Sequence, residues 1–82
     1  MMKEYSKKIS IDDRVAFRAD WVEFRRDNGG LICSLEGEFL RDGESFDPPM
    51  PYYLSNIGVP SDNLLQILVP VYKDLMHERK KS

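Results

Sequence analysis

Trp21-Val22-Glu23-Phe24-Arg25-Arg26-Asp27-Asn28-Gly29-Gly30-Leu31-Ile32-Cys33-Ser34-Leu35-Glu36 is the stretch whose reading decides the fold of this chain. Asn-Gly between two alternating segments is the strongest short-range sign of a β-hairpin, because a type I′ turn needs positive φ at both central residues. With Asn28-Gly29 at the turn, Phe24 falls opposite Cys33, Val22 opposite Leu35 and Arg26 opposite Leu31. Those pairs share one face. Glu23 with Ser34, Arg25 with Ile32 and Trp21 with Glu36 share the other. Turn chemistry and binary pattern agree on register, and a slip of one residue would invert every side chain.

Upstream, Ile9-Ser10-Ile11 and Val15-Ala16-Phe17 both alternate around Asp12-Asp13-Arg14. A short turn there sets Ile11 opposite Val15 and Ile9 opposite Phe17, all on one face. A helix from Ile11 to Asp20, capped by Ser10 with Asp12 and Asp13 in its first turn, is the alternative. The β-branched and aromatic residues favour the strand. Inward parity is odd through Val15, Phe17 and Ala19 but even through Val22 and Phe24, so a tight turn or a bulge must reset the phase near Ala19-Asp20. Gly37 on the opposing segment would accommodate such a kink.

Residues 1–8 read as a flexible polar segment, and residues 41–60 as a long loop. The loop holds Pro48, Pro49, Pro51 and Pro60 with Gly43 and Gly58, which oppose regular structure. Phe46, Met50, Tyr52, Tyr53, Leu54 and Ile57 give it aromatic and aliphatic groups to pack down. Residues 61–80 read as a C-terminal helix with Ser61 as N-cap and Asp62 in the first turn. Leu64, Leu65, Leu68, Val71, Tyr72, Leu75 and Met76 draw one apolar stripe along it. Pro70 interrupts the stripe. Either it kinks one helix, or it separates a strand over 64–69 from a shorter helix. The fold class is therefore α+β: a three- or four-stranded antiparallel meander sheet with one C-terminal helix packed on one face.

The 82 residues form a single small domain, and 41% hydrophobic content supports a real but thin core. A single cysteine excludes an internal disulfide, and Cys33 on the apolar face of the hairpin behaves as a small hydrophobe. The first residues carry no apolar leader region, and the run from Leu64 to Val71 is too short for a membrane span. The expectation is a cytoplasmic protein with no membrane partner. The net charge of −2 hides one acidic segment, where Glu36, Glu38, Asp42, Glu44 and Asp47 oppose Arg41 alone.

Catalytic chemistry lacks its parts. His77 is the only histidine, and it lies far in sequence from Cys33, so neither metal-ligand spacing nor a nucleophile–base pair exists; no metal or cofactor is expected. Glu36 and Glu38 leave one strand face, where paired carboxylates are ordinarily its solvated side. Pro48-Pro49-Met50-Pro51 satisfies P-x-x-P but lacks a flanking basic residue, and reads as a stiff loop. The function expected is a small non-enzymatic interaction module, a regulator or inhibitor that occludes a surface of a larger, basic partner protein. Trp21, Arg25, Asp42, Glu44, Met50, Tyr52 and Tyr53 are its candidate contact residues, since aromatic and arginine anchors beside an acidic rim suit such a partner. Trp21 is open to two readings, exposed or covered by the helix or loop. The alternative function is nucleic-acid binding through Arg18, Arg25, Arg26 and the tail Arg79-Lys80-Lys81, opposed by the near-equal number of acids. A homodimer through a free strand edge or surplus helix surface is compatible with either.

Overall fold

The computed structural model describes residues 2–81, with side chains from Lys3 to Lys80. Strands β1 (Met2–Ser10), β2 (Val15–Asp27), β3 (Gly30–Arg41) and β4 (Glu44–Val59) precede one helix, α1 (Leu64–Lys81). The sheet is an antiparallel meander in the order β1-β2-β3-β4, so the fourth strand is present. The central hairpin has the register that its turn dictates, with Phe24 opposite Cys33 and Trp21 opposite Glu36. Asn28 and Gly29 take φ of 52° and 78°, as a type I′ turn requires. Ile9 pairs with Phe17, so residues 11–20 belong to a hairpin rather than a helix. Asp12 closes that turn, its Oδ1 accepting the backbone N–H groups of Arg14 and Val15 at 2.8 Å each.

Phase is reset by a bulge. Ala19 pairs with Gly37 and Trp21 with Glu36, which leaves Asp20 without a partner on β3. Val15, Phe17, Ala19 and Val22 thereby all point to the same buried face. Gly37 is required at the bend, because a Cβ there would lie 2.2 Å from the Arg18 carbonyl oxygen and 2.8 Å from the Phe17 ring. β1 follows the same bend with Ser6 at φ 54°, between the pairs Tyr5–Trp21 and Lys7–Ala19.

Three expectations fail, each for a physical reason. Of the segment 1–8, read as flexible, residues 2–8 lie in strand β1, and Met1 lies outside the described residues. The strand pairs along β2, although only Ile9 of its described side chains reaches the core, so no hydrophobic period marks residues 3–8. The segment 41–60, read as a loop, is mostly β4. Asp42-Gly43, with φ of 52° and 82°, makes a second tight turn, and Arg41 pairs with Glu44. Prolines survive because β4 is an edge strand, where a missing N–H costs no ladder bond on the solvent side. Between the pairs Leu40–Ser45 and Phe39–Met50, residues 46–49 leave the ladder and carry Phe46 into the core. Finally, Asn63 rather than Ser61 caps α1. Its Oδ1 accepts the Leu65 N–H at 3.1 Å, while Ser61 Oγ accepts the N–H of Asn63, and Asp62 precedes the first turn.

The helix is continuous through Pro70, which lies on its exposed side. There Pro70 offers no N–H to the Gln66 carbonyl, on a stretch where Gln66 is itself exposed, while Leu64 and Leu68 stay buried. Aromatic contacts tie the layers together: Phe17 meets Phe39 edge-on at 4.9 Å, and Tyr72 of α1 lies 5.5 Å from Phe39 and 6.4 Å from Phe46.

Gly37→Ala is expected to destabilise the domain by about 3 kcal/mol, the upper range for overpacking, because backbone stands in the way. Pro70→Ala is expected to stabilise it by about 2 kcal/mol, since a solvent-side proline is removed without disturbing the core. Urea unfolding followed by circular dichroism checks both signs.

Candidate functional site

All of α1 packs on one side of the sheet, with the core cluster of Val15, Phe17, Val22, Leu35, Phe39, Met50, Leu64 and Leu68 between the layers. The opposite face carries no second layer among the described residues. Across it runs one cross-strand row, from Tyr5 to Trp21, Glu36 and Tyr53, drawn from all four strands. The bulge at Asp20 builds this row, since uninterrupted alternation would turn Trp21 inward with Phe17 and Ala19. Tyr5 is 68% and Tyr53 70% exposed, and Trp21 is half-buried. Lys3 lays its ammonium 4.8 Å from the Trp21 ring centroid and 5.5 Å from that of Tyr5.

Of the residues singled out in the sequence, Trp21, Arg25 and Tyr53 share this face. Arg25 is held there by Asn56, its Nη2 donating to Oδ1 at 2.8 Å. Trp21 is not covered by the helix, which lies on the other side. Met50 and Tyr52 do not belong to the site. Once β4 is a strand, alternation turns Met50, 3% exposed, into the core and Tyr52 toward Phe39 at 6.4 Å, while Tyr53 faces outward. Asp42 and Glu44 flank the β3–β4 turn, about 20 Å along β3 from Glu36 at the ordinary strand rise. Asp42 is occupied by Arg14, which approaches to 2.7 Å, and this guanidinium holds the carboxyl below the usual aspartate range. The acidic turn and the aromatic row are thus two separate places. Glu36 is the site residue that sequence reasoning left out. Its position opposite Trp21 was visible in the hairpin register, but its second neighbour, Tyr53, requires knowing that β4 is a strand.

The cations proposed for nucleic acid do not form one track. Arg18 is engaged by Glu38 at 3.2 Å and Asp20 at 3.5 Å. Arg26 stands on the helix side of the sheet, exposed beside the hairpin tip. Arg79 donates to the Pro48 and Pro49 carbonyls and covers the Phe46 ring, and Lys80 is exposed at the helix end. The Lys81 side chain lies outside the described residues.

Reactive chemistry is sparse in what is described. Cys33 is fully buried, and burial pushes its thiol up to about 11. No group of three or more His, Cys, Asp or Glu side chains among the described residues could hold a metal ion. An open groove of about 1200 Å³ lies at the hairpin tip, lined by Phe24, Leu31 and Val59 and by charges of both signs. Among the described residues no helix is long and apolar enough to cross a membrane. No family model, curated protein or solved structure matches the chain.

The folded protein is expected to resist alkylation by iodoacetamide at pH 8 and to react once denatured. Because the folded thiol titrates above its ordinary value of 9.0, at about 11, it favours the fold below pH 9. That contribution is lost as the pH rises toward 11, and unfolding midpoints in Cys33→Ala should show a smaller loss, the remainder including Tyr52, whose hydroxyl burial also pushes up.

Proposed function

We propose that this domain is a non-enzymatic protein-binding regulator that uses its open sheet face to occlude a surface of a larger partner. The observation that carries this reading is the row Tyr5–Trp21–Glu36–Tyr53 on a face that the fold leaves uncovered. Tryptophan and tyrosine are the side chains most enriched among residues that dominate binding energy, and an aromatic kept at the surface exacts a solvation cost that only a partner relieves. Size agrees. The molecule measures 40 × 26 × 20 Å. Its broad face therefore offers about 1,000 Å², enough for the roughly 800 Å² per partner of a specific interface. The rows beside the aromatic one are polar, with Lys3, Glu23, Arg18 and Glu38, as the rim of an interface requires. An unpaired buried thiol fits a reducing compartment, and the cytoplasm is the proposed setting.

Nucleic-acid binding is the weaker reading, because Arg18, Arg25 and Arg79 already have partners within the fold. Releasing them would offset much of the gain from phosphate contacts.

The test is capture of partners by the tagged protein from its native lysate, with and without nuclease. A nuclease-resistant protein recovered at near-stoichiometric yield is expected, and Trp21→Ala and Tyr53→Ala should each weaken its binding by about 2 kcal/mol, near thirtyfold. Asp42→Asn with Glu44→Gln should change affinity far less. Unaltered binding in the two aromatic variants, with circular dichroism unchanged, would overturn the assignment to this face.

A further inference from the structure

The aromatic row has one break, and it is acidic. Glu36 stands between Trp21 on β2 and Tyr53 on β4, in register with both. It is exposed, and its carboxylate makes no hydrogen bond or ion pair among the described residues. The next carboxylate along β3, Glu38, differs, since Arg18 neutralises it. Strands lie 4.7–4.9 Å apart, so the backbones that carry the two rings run about 10 Å from one another with Glu36 between them. That spacing leaves the carboxylate, with an aromatic residue on either neighbouring strand, open to one incoming side chain. The chemistry there selects for positive charge: ring faces attract cations, and the carboxylate supplies the counter-charge.

The neighbouring gap shows the same preference in use. Between Tyr5 and Trp21 the Lys3 ammonium already rests on the two rings. The cations close enough to fill the Glu36 gap from within the chain are held elsewhere, Arg18 by Asp20 and Glu38 and Arg25 by Asn56. Two adjacent gaps on one row thus differ in that one is filled by the chain's own lysine and the other is left for an outside group.

We propose that Trp21, Glu36 and Tyr53 form a slot for a single basic side chain of the partner protein, with arginine preferred over lysine. The preference follows from the planar guanidinium, which stacks on a ring while its N–H groups reach the carboxylate, whereas an ammonium acts as a point charge. This inference rests on the reading of the open face as the interface and adds the residue class that the partner must present.

The probes are terminally blocked tripeptides Gly-Arg-Gly, Gly-Lys-Gly and Gly-Glu-Gly, titrated into the isotope-labelled full chain at low salt. Trp21 is the sole tryptophan, so its indole N–H resonance is an unambiguous reporter. The arginine peptide should shift the indole and the Glu36 and Tyr53 amides saturably, more tightly than the lysine peptide, and the glutamate peptide should not. Glu36→Gln should weaken the arginine peptide about fivefold, the scale of an exposed ion pair, and Tyr53→Ala by a similar factor through the lost ring. Glu44→Gln, a carboxylate at the β3–β4 turn and remote from the row, should leave binding within about twofold of the parent. Equal binding of the arginine and glutamate peptides, or of the parent and Glu36→Gln, would overturn the slot. The captured partner separates the two ideas. Loss of binding in Trp21→Ala with full binding in Glu36→Gln would retain the interface and remove the slot, whereas full binding in both would remove the two together.

Discussion

Asp20 has no opposite number on β3, and the bend that follows from this decides both faces of the molecule. On its N-terminal side, Phe17 and Ala19 point toward the helix. On its C-terminal side, Val22 and Phe24 do so in place of Trp21. The register is held by the close approach of the Arg18 carbonyl and the Phe17 ring to Gly37, a position with no room for a Cβ. A bulge of this kind re-aims side chains at the cost of one unpaired residue. Here it keeps the largest side chain of the chain out of a thin core and sets it on the surface with Tyr5 and Tyr53. Core and candidate interface are therefore consequences of one backbone irregularity.

Edges show a related economy. An open four-stranded sheet has two edges able to pair with another chain. β4 is obstructed by Pro48, Pro49 and Pro51 and by the excursion of residues 46–49. β1 carries Lys3, Lys7 and Lys8, and Ser6 at positive φ breaks its straight run. Two copies of β1 side by side would bring these lysines together. Both devices oppose sheet extension and leave the broad face as the surface suited to a partner.

The central hairpin was legible to the residue because three signals coincide there: an Asn-Gly turn, period-two alternation and matched parity. The need for a phase reset at Ala19-Asp20 was legible for the same reason, and Gly37 marked where the opposing strand would yield. β4 was misread because composition outweighed a local cue. Arg41-Asp42-Gly43-Glu44 has the same turn chemistry as Arg26-Asp27-Asn28-Gly29-Gly30, yet the prolines beyond it spoke for a loop. Their tolerance depends on an edge position, which is a property of topology and is invisible in a window of residues. Of β1 only Ile9 was legible, as the partner of Phe17; residues 3–8 left no trace because their side chains stay in water, and a stretch without a buried face has no period to read. The candidate site inherits these limits. Trp21 and Arg25 could be named from the hairpin alone, whereas Tyr53 needed β4 to be distinguished from Tyr52, and Glu36 became a site residue only between two rings.

The distribution of paired and unpaired charge carries the functional argument further than net charge does. At −2 the chain is nearly neutral, and Arg14, Arg18, Arg25 and Arg79 each have an internal partner in the fold. A surface whose arginines are already committed has little to offer a polyanion. Glu36 is a different case, being exposed, without a partner among the described residues, and set between Trp21 and Tyr53 on the open face. Exposed ion pairs contribute little to stability, so a missing partner for Glu36 costs the fold almost nothing. In the proposed slot the same carboxylate, desolvated by an incoming group, would interact far more strongly than it does in water. The core and the proposed binding face thereby lie on opposite sides of one sheet. Contacts on the outer row can change without touching the Phe17–Phe39–Tyr72 cluster that joins the helix to the strands.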